Sequence, residues 1–288
     1  MCILVDKDCA VTTSCAPCNR FRRARARTFL LSAPEEKKEE EKKEEKKKEE
    51  EKKEDLLNRL YQSVPCLYEY AEATATANYT FGEVLPAGVE KLLDAHHLNA
   101  ATASVVYELG LGFGRLALQV ALQWPHLKAI IGAELHPVRA QACFLALRNF
   151  ALMHADRCRI AFSPPAEDFQ PPAHFLPSRA QSVSVRFDHT DRRISFRRQN
   201  LFDLLPETVA QADIIIAAVA LTPLTRTYFC KTISKMRTGA RILTYESLEL
   251  LFLNADLFMP FVPIAPCETY AVSWSPTFGH GFCLYVKM

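Results

Sequence analysis

The chain has 288 residues, with 35 Lys and Arg against 33 Asp and Glu and a formal charge of +2. That length suits one large α/β domain or two small ones with core enough to need no covalent staples, and from Leu56 onward 20 basic residues face 19 acidic ones, which excludes strong capture of nucleic acid by bulk charge. The ten cysteines are scattered, Asp6, Lys7 and Asp8 interrupt any signal-peptide core, and no apolar run reaches the length of a bilayer span, so a soluble chain with free thiols is expected.

Residues 1–34 form a basic, Cys-containing tail. Cys15 and Cys18 make a C-x-x-C pair, but no second pair stands at zinc-finger distance, and no metal site is expected. Asn19 to Arg27 reads N-R-F-R-R-A-R-A-R. Such a block serves nuclear import or touches phosphate backbones, and equally suits a solvated tail. Residues 35–55 are Glu, Lys and one Asp, nine Lys against eleven Glu plus Asp55. Glu and Lys recur at i+3 and i+4, which supports a solvated helix, while the lack of an apolar stripe keeps it out of any core. A spacer or linker is the default reading, and an arm for basic partners is the sharper one.

Residues 56–104 are expected to be a small helical part. Leu56, Leu57, Leu60, Tyr61 and Val64 recur at helical spacing, Pro65 stops that helix, and a loop Asn78 to Pro86 leads to a helix Gly88 to His97. With two aromatics, a glycine and a carboxylate, this loop is a candidate lid.

The core, residues 105–288, opens on V-V-Y-E-L-G-L-G-F-G-R, Val105 to Arg115. Apolar residues ending in Glu108, then Gly110, Gly112 and Gly114, then a helix Leu116 to Leu122, read as strand, tight turn and helix. Glycines there take φ > 0 and let a ligand come close, and the helix start offers N–H groups. Dinucleotide enzymes use G-x-G-x-x-G with pyrophosphate on the helix start. Here the spacing is G-x-G-x-G behind an acid, and a carboxylate suits the sulfonium and amino group of S-adenosylmethionine better than a phosphate. The next strand, His126 to Glu134, closes on Glu134, 24 positions after Gly110. An acid there can accept from both ribose hydroxyls.

A helix His136 to His154 follows. Ser163 to Arg193 then reads as a Pro/Arg-rich surface insertion with an edge strand at Val183 to Phe187, whose arginines, with Arg197 and Arg198, are candidates for a polyanion. Beyond it come a strand from Ile194 that brings Asn200 to its end, an apolar strand Ala212 to Leu221 and a helix Thr225 to Met236. Gly239 caps that helix, Arg241 to Tyr245 is a strand, and Tyr270 to Val286 holds two strand-like runs.

Taken together, Phe81-Gly82-Glu83-Val84, Glu108 to Arg115, Gly132 to Glu134, Asn200-Leu201, Gly239 to Ile242, Val272-Ser273-Trp274 and the aromatic strand around Phe282 occur in the order of motifs of one family. The chain from about Tyr79 to Met288 resembles the disruptor-of-telomeric-silencing (Dot1-like) histone H3 core-lysine methyltransferases, as a divergent member. The resemblance implies a seven-stranded, Rossmann-like class I methyltransferase fold with a small helical N-terminal part. It implies S-adenosylmethionine held by Phe81, Glu83, Glu108, Gly110, Gly112, Gly114, Arg115, Glu134, Asn200 and Leu201, with Asn200 on the adenine amine. It also implies a lysine channel walled by Phe81, Trp274 and Phe282, with no general base assigned. The implied substrate is histone H3 in the nucleosome, the location the nucleus, and DNA phosphates are further candidates for the basic segments. One departure bears on activity. The family's N-N-F-x-F-x-P motif stands here as Ala217 to Pro223, without either asparagine. A weakly active chromatin-binding homologue and a methyltransferase with a non-histone target are the alternatives.

Overall fold

The computed structural model describes residues 33–64, 83–163, 181–200, 203, 206–264, 268–273 and 275–288. Two compact units divide at Glu50. In the first, the described residues are helical, the start of helix α1 (Ala33–Tyr61), and the side chains described there are exposed. An ion pair at i, i+4, Glu44 with Lys48 at 2.8 Å, supports it. The residues of α1 from Glu51 to Tyr61 belong to the second unit.

In the second unit, from Glu51, the order is α2 (Pro86–Leu93), a 3-10 turn (Ala100–Thr102), β1 (Val105–Leu109), α3 (Arg115–Gln123), β2 (Ala129–Glu134), α4 (Pro137–Met153), β3 (Cys158–Ser163), β4 (Ser182–Phe187) and β5 (Arg193–Arg198). Then come α5 (Pro206–Ala210), β6 (Ile214–Ala217), α6 (Pro223–Ile233), β7 (Arg241–Thr244), α7 (Leu248–Asn254), β8 (Phe261–Pro263), β9 (Glu268–Val272) and β10 (Ser275–Lys287). The ten strands lie in the order β3-β4-β5-β2-β1-β6-β7-β10-β8, with β9 paired to β10.

Within that sheet, β5-β2-β1-β6-β7 are parallel, and β10 runs antiparallel between β7 and β8. These seven strands form the expected Rossmann-like core. Ligands of such sheets lie at the carboxyl ends of the strands where the chain direction of winding reverses, here between β1 and β6. The hairpin β3–β4 extends one edge and β9 adds a strand over β10, so the sheet exceeds the seven strands expected.

Burial follows the period-two alternation. Val106, Ile130, Ile194 and Phe196 face α2, α3, α4 and the end of α1, while Tyr107, Ile131, Ile215 and Ile242 face α5, α6 and α7. β1, β2 and β6 are buried on both faces, as near-continuous apolar runs require.

Several expected boundaries move for local reasons. Pro86, read as the end of a loop, sits in the first turn of α2, where its fixed φ suits a helix start and its missing N–H costs nothing. Asp94 then ends α2 by accepting the N–H groups of His96 and His97, so the helix stops short of His97. β4 is not the edge strand, because β3 pairs outside it. β2 begins at Ala129, three residues later than expected, after a turn at His126. Gly239, six residues beyond the end of α6, serves the turn into β7 with φ +82°. Pro65, most of the candidate lid loop and residues 164–180 of the insertion lie outside the described residues.

Candidate functional site

The glycine turn stands at the carboxyl end of β1, and all three glycines have positive φ, +81°, +57° and +78° at Gly110, Gly112 and Gly114. A side chain is ill suited to that backbone. At Gly110 a Cβ would also meet Val219 Cγ1 at 2.3 Å. Gly132 has a different use: Leu111 lies over it, where a Cβ would fall 2.3 Å from Leu111 Cδ2.

Four of the turn's N–H groups are already engaged. Those of Gly110 and Leu111 donate to Ala133 O (2.8 and 3.0 Å), that of Gly114 to Leu111 O (2.7 Å), and that of Gly112 to Glu134 Oε2 (2.9 Å). Inside the first turn of α3, the N–H of Ala117 donates to the Glu108 carboxyl. A pyrophosphate wants these donors free and a helix start without a carboxylate. The turn is built for something other than an anion.

Glu108 shows what that is. Its side chain is 6% exposed, and its Oε2 has no hydrogen-bond partner among the described residues. Burial, with added repulsion from Glu83 and Glu134, pushes its carboxyl well above the usual range despite the bond from Ala117. An orphaned buried carboxylate, with two more nearby, fits a ligand that brings positive charge and N–H donors. S-adenosylmethionine carries both, a sulfonium and an amino group, and the residues present fit it.

Glu134, 4% exposed, ends β2 beside the turn. Its Oε2 accepts from Gly112, and its Oε1 accepts from the His136 N–H (2.8 Å) and lies 3.2 Å from Arg139 Nη2. A carboxylate has about four acceptor positions, so acceptor capacity remains on Oε2 for a ribose hydroxyl. Asn200 is half-buried two residues past β5, whose Arg198 pairs with Glu134. The Gln199 N–H donates to Glu134 O (3.1 Å), so Asn200 arrives on the same edge as Glu134.

Two motifs far apart in sequence meet. The Glu83 N–H donates to Ser273 Oγ (3.0 Å), the Ser273 N–H donates to Glu83 O (2.8 Å), and Val84 bridges Val272. Arg115 is turned to the end of α1: Nη2 donates to Asn58 Oδ1 (2.9 Å), the guanidinium stands 5.0 Å from the centre of the Tyr61 ring, and Nε is 4.0 Å from Glu83. Phe81, Leu201 and Trp274 lie outside the described residues. Phe282 is fully buried among Tyr245, Tyr270 and His280, with ring centres 6.2, 6.0 and 5.1 Å away. Sealed from solvent, it supports this corner from behind, and the exposed ring there is Tyr245, stacked on His280 at 4.8 Å.

Residues without a sequence signal complete the site. The Tyr61 hydroxyl donates to Phe113 O (2.8 Å) and so pins the turn from α1; Cys143 Sγ–H, fully buried, donates to Gly112 O (3.1 Å). Burial raises both groups' pKa well above the ordinary value, so each stays a protonated donor. In sequence they were two more apolar positions on helices. Among the described residues no group of His, Cys, Asp and Glu is placed to hold a metal ion.

No protein-family model matches the sequence, and no curated protein matches it either. Among solved structures the chain is similar to TrmN from Thermus thermophilus, at 16% identity and TM-score 0.42 over 76% of this chain and 52% of that one. It is also similar to cofactor-bound Rv0187 from MTB, at 15% identity and TM-score 0.43 over 77% of this chain and 89% of that one. The chain thus spans about half the length of the first of these.

Proposed function

We propose that this chain is an S-adenosylmethionine-dependent methyltransferase, and that its acceptor is a lysine in the core of nucleosomal histone H3. The observation that carries the donor is Glu108, buried without a partner on one oxygen beside a glycine turn four of whose N–H groups are already bonded within the fold. When bound, the donor supplies an electrophilic methyl group on a positively charged sulfur. The chain's part is to bind, orient and dry. Glu108, with Glu83 and Glu134 around it, meets the positive end; Glu134 takes a ribose hydroxyl; Asn200 meets the adenine amine; and the bare backbone at Gly110 to Gly114 lets the ligand lie close.

The lysine amine must arrive neutral and in line with the bond that breaks. With the donor bound, the amine's lone pair would accept the methyl group, which the donor gives up to become a thioether, and the extra proton on nitrogen would leave to water. A narrow aromatic channel desolvates and aligns the amine. Phe81 and Trp274 are its proposed walls, and Phe282, being fully buried, is not one of them. The reciprocal bonds between Glu83 and Ser273, which join the two motifs at those residues, support this reading. The lysine and nucleosome reading is supported by the order of the motifs along the chain. The basic block Arg20 to Arg27 suits a nuclear location.

A second reading has its own observation. Ala217 is buried at the end of β6 and Ala218 is exposed just past it, where neither offers a hydrogen-bonding side chain. A chromatin-binding homologue with little turnover would look like this. Transfer of labelled methyl to assembled nucleosomes and to free histone H3 separates the readings. The proposal predicts label on H3 in nucleosomes well above that on free H3. Donor binding without label on either favours the weak homologue, and label on free protein alone contradicts the nucleosomal assignment.

A further inference from the structure

The crossover from β5 to β6 carries a helix of only five residues, α5. The helix packed on β3, β4 and β5 is α4, and it covers one face: Ile160, Val183, Val185, Ile194 and Phe196 turn toward it. The alternate residues turn the other way: Arg159, Ala161 and Ser163 on β3, Ser182, Ser184 and Arg186 on β4, and Arg193, Arg197 and the buried Ser195 on β5. Arg159, Arg186 and Arg193 stand directly opposite one another across the three strands. Ser184 faces Ser195 in the next row, and Ser182 faces Arg197 in the row after. Arg159, Arg186 and Arg193 are exposed.

Like charges opposite one another across strands cost stability, so the row is not there for the sheet's sake. Asp188 Oδ1 pairs with Arg159 Nε at 3.1 Å. Among the described residues no carboxylate pairs with Arg186, Arg193 or Arg197. Arg192 takes no part: its guanidinium lies 4.6 Å from the centre of the Phe187 ring and donates to Ala121 O. What fits is a ligand that supplies closely spaced negative charges to a flat surface.

We infer that this arginine-bearing face of β3, β4 and β5 binds the phosphodiester backbone of duplex DNA. Arginines and small hydroxyls are the side chains that hold phosphate oxygens, and the half-exposed Ser182 and Ser184 beside the arginine row let a backbone rail come close. The positions that turn outward offer no aromatic ring, so the face has no platform for stacked bases and selects a duplex over a single strand. Three strands measure about 10 Å across, room for one rail. Duplex RNA is gripped across successive minor grooves through its 2′-hydroxyls, a span of about 16 base pairs, and this face is too small for that. The face lies apart from the glycine turn, and the inference goes beyond the methyl-transfer reading.

The test is a salt series of anisotropy titrations, without methyl donor, of a labelled mixed-sequence DNA duplex against the full chain. The Arg186→Gln/Arg193→Gln variant and the charge-keeping Arg186→Lys/Arg193→Lys variant run beside it. Because Arg20 to Arg27 adds contacts of its own, the readout is the difference between variants. The glutamine pair is expected to weaken binding by at least about tenfold at low salt and to lower the slope of log K against log salt by about two, with an unchanged melting temperature. The lysine pair keeps most of both, which a merely structural role would not predict. Equal affinity and slope in wild type and the glutamine pair overturn the inference. So does stronger competition by single-stranded DNA or duplex RNA than by duplex DNA, or a loss confined to anionic lipid vesicles. No donor is present, so failure of the methyltransferase reading leaves this result standing.

Discussion

Glu108 is the residue on which the chemistry turns. In the free protein its buried carboxyl holds a proton that the unfolded chain, with an ordinary value of 4.5, has already released. The native state therefore binds more protons than the unfolded one above that value, and stability falls as pH rises from there through the raised native value. Unfolding by denaturant from about pH 5 to about pH 8 should show this fall, and Glu108→Gln should flatten it. A positively charged ligand favours the ionised carboxyl, so the thermal shift given by the donor should grow with pH in wild type and lose that growth in the variant. Donor affinity should drop about tenfold or more in Glu108→Gln, the size of a lost charge-assisted hydrogen bond. A slope left unchanged by Glu108→Gln would place the proton elsewhere. This role was half legible in the sequence. An acid before three alternate glycines pointed to a cationic ligand, but the burial and the missing partner on Oε2 depend on Glu83 and on β2, which only the fold brings near.

Between elements, the last turns of α1 hold the glycine turn from outside. Leu57 and Leu60 are buried, Tyr61 binds Phe113 O, and Asn149 on α4 donates to Leu60 O (2.7 Å). A chain starting at Glu51, where the second unit begins, should keep its stability to within about 0.5 kcal/mol. One starting at Gln62 loses two buried leucines, about 3–6 kcal/mol together, and with them donor binding. Chemical denaturation of both checks it, and equal stability would show α1 to be dispensable. The elements that the sequence disclosed were those with a strong local signature: β1, its turn and α3 through the glycines, β2 through its closing acid, β6 through three consecutive isoleucines. β3, α7 and β8 were missed. Cys158 to Ser163 alternates only weakly and runs into Pro164 and Pro165, β8 is three residues long, and α7 is a seven-residue helix whose Leu250 and Leu253 stay exposed. Arg115 and Phe282 show the same limit in side chains. The family resemblance put each at the site, while packing turned Arg115 toward Tyr61 and sank Phe282 into the core.

At the scale of the whole molecule, one sheet carries two surfaces of opposite sign. At the carboxyl edge, Glu83, Glu108 and Glu134 gather by the glycine turn, and on one face beyond β2 Arg159, Arg186 and Arg193 of β3, β4 and β5 stand in a row. The near-neutral total hides both, because separation of charge in space leaves no trace in a sum. The acidic pocket is the central claim, and isothermal titration of the purified chain with S-adenosylmethionine and with NAD tests it most directly. Saturable binding of S-adenosylmethionine, reduced in Glu108→Gln, with no heat from NAD, is the predicted result. Binding of NAD, or of neither compound by a cooperatively folded sample, would contradict the account.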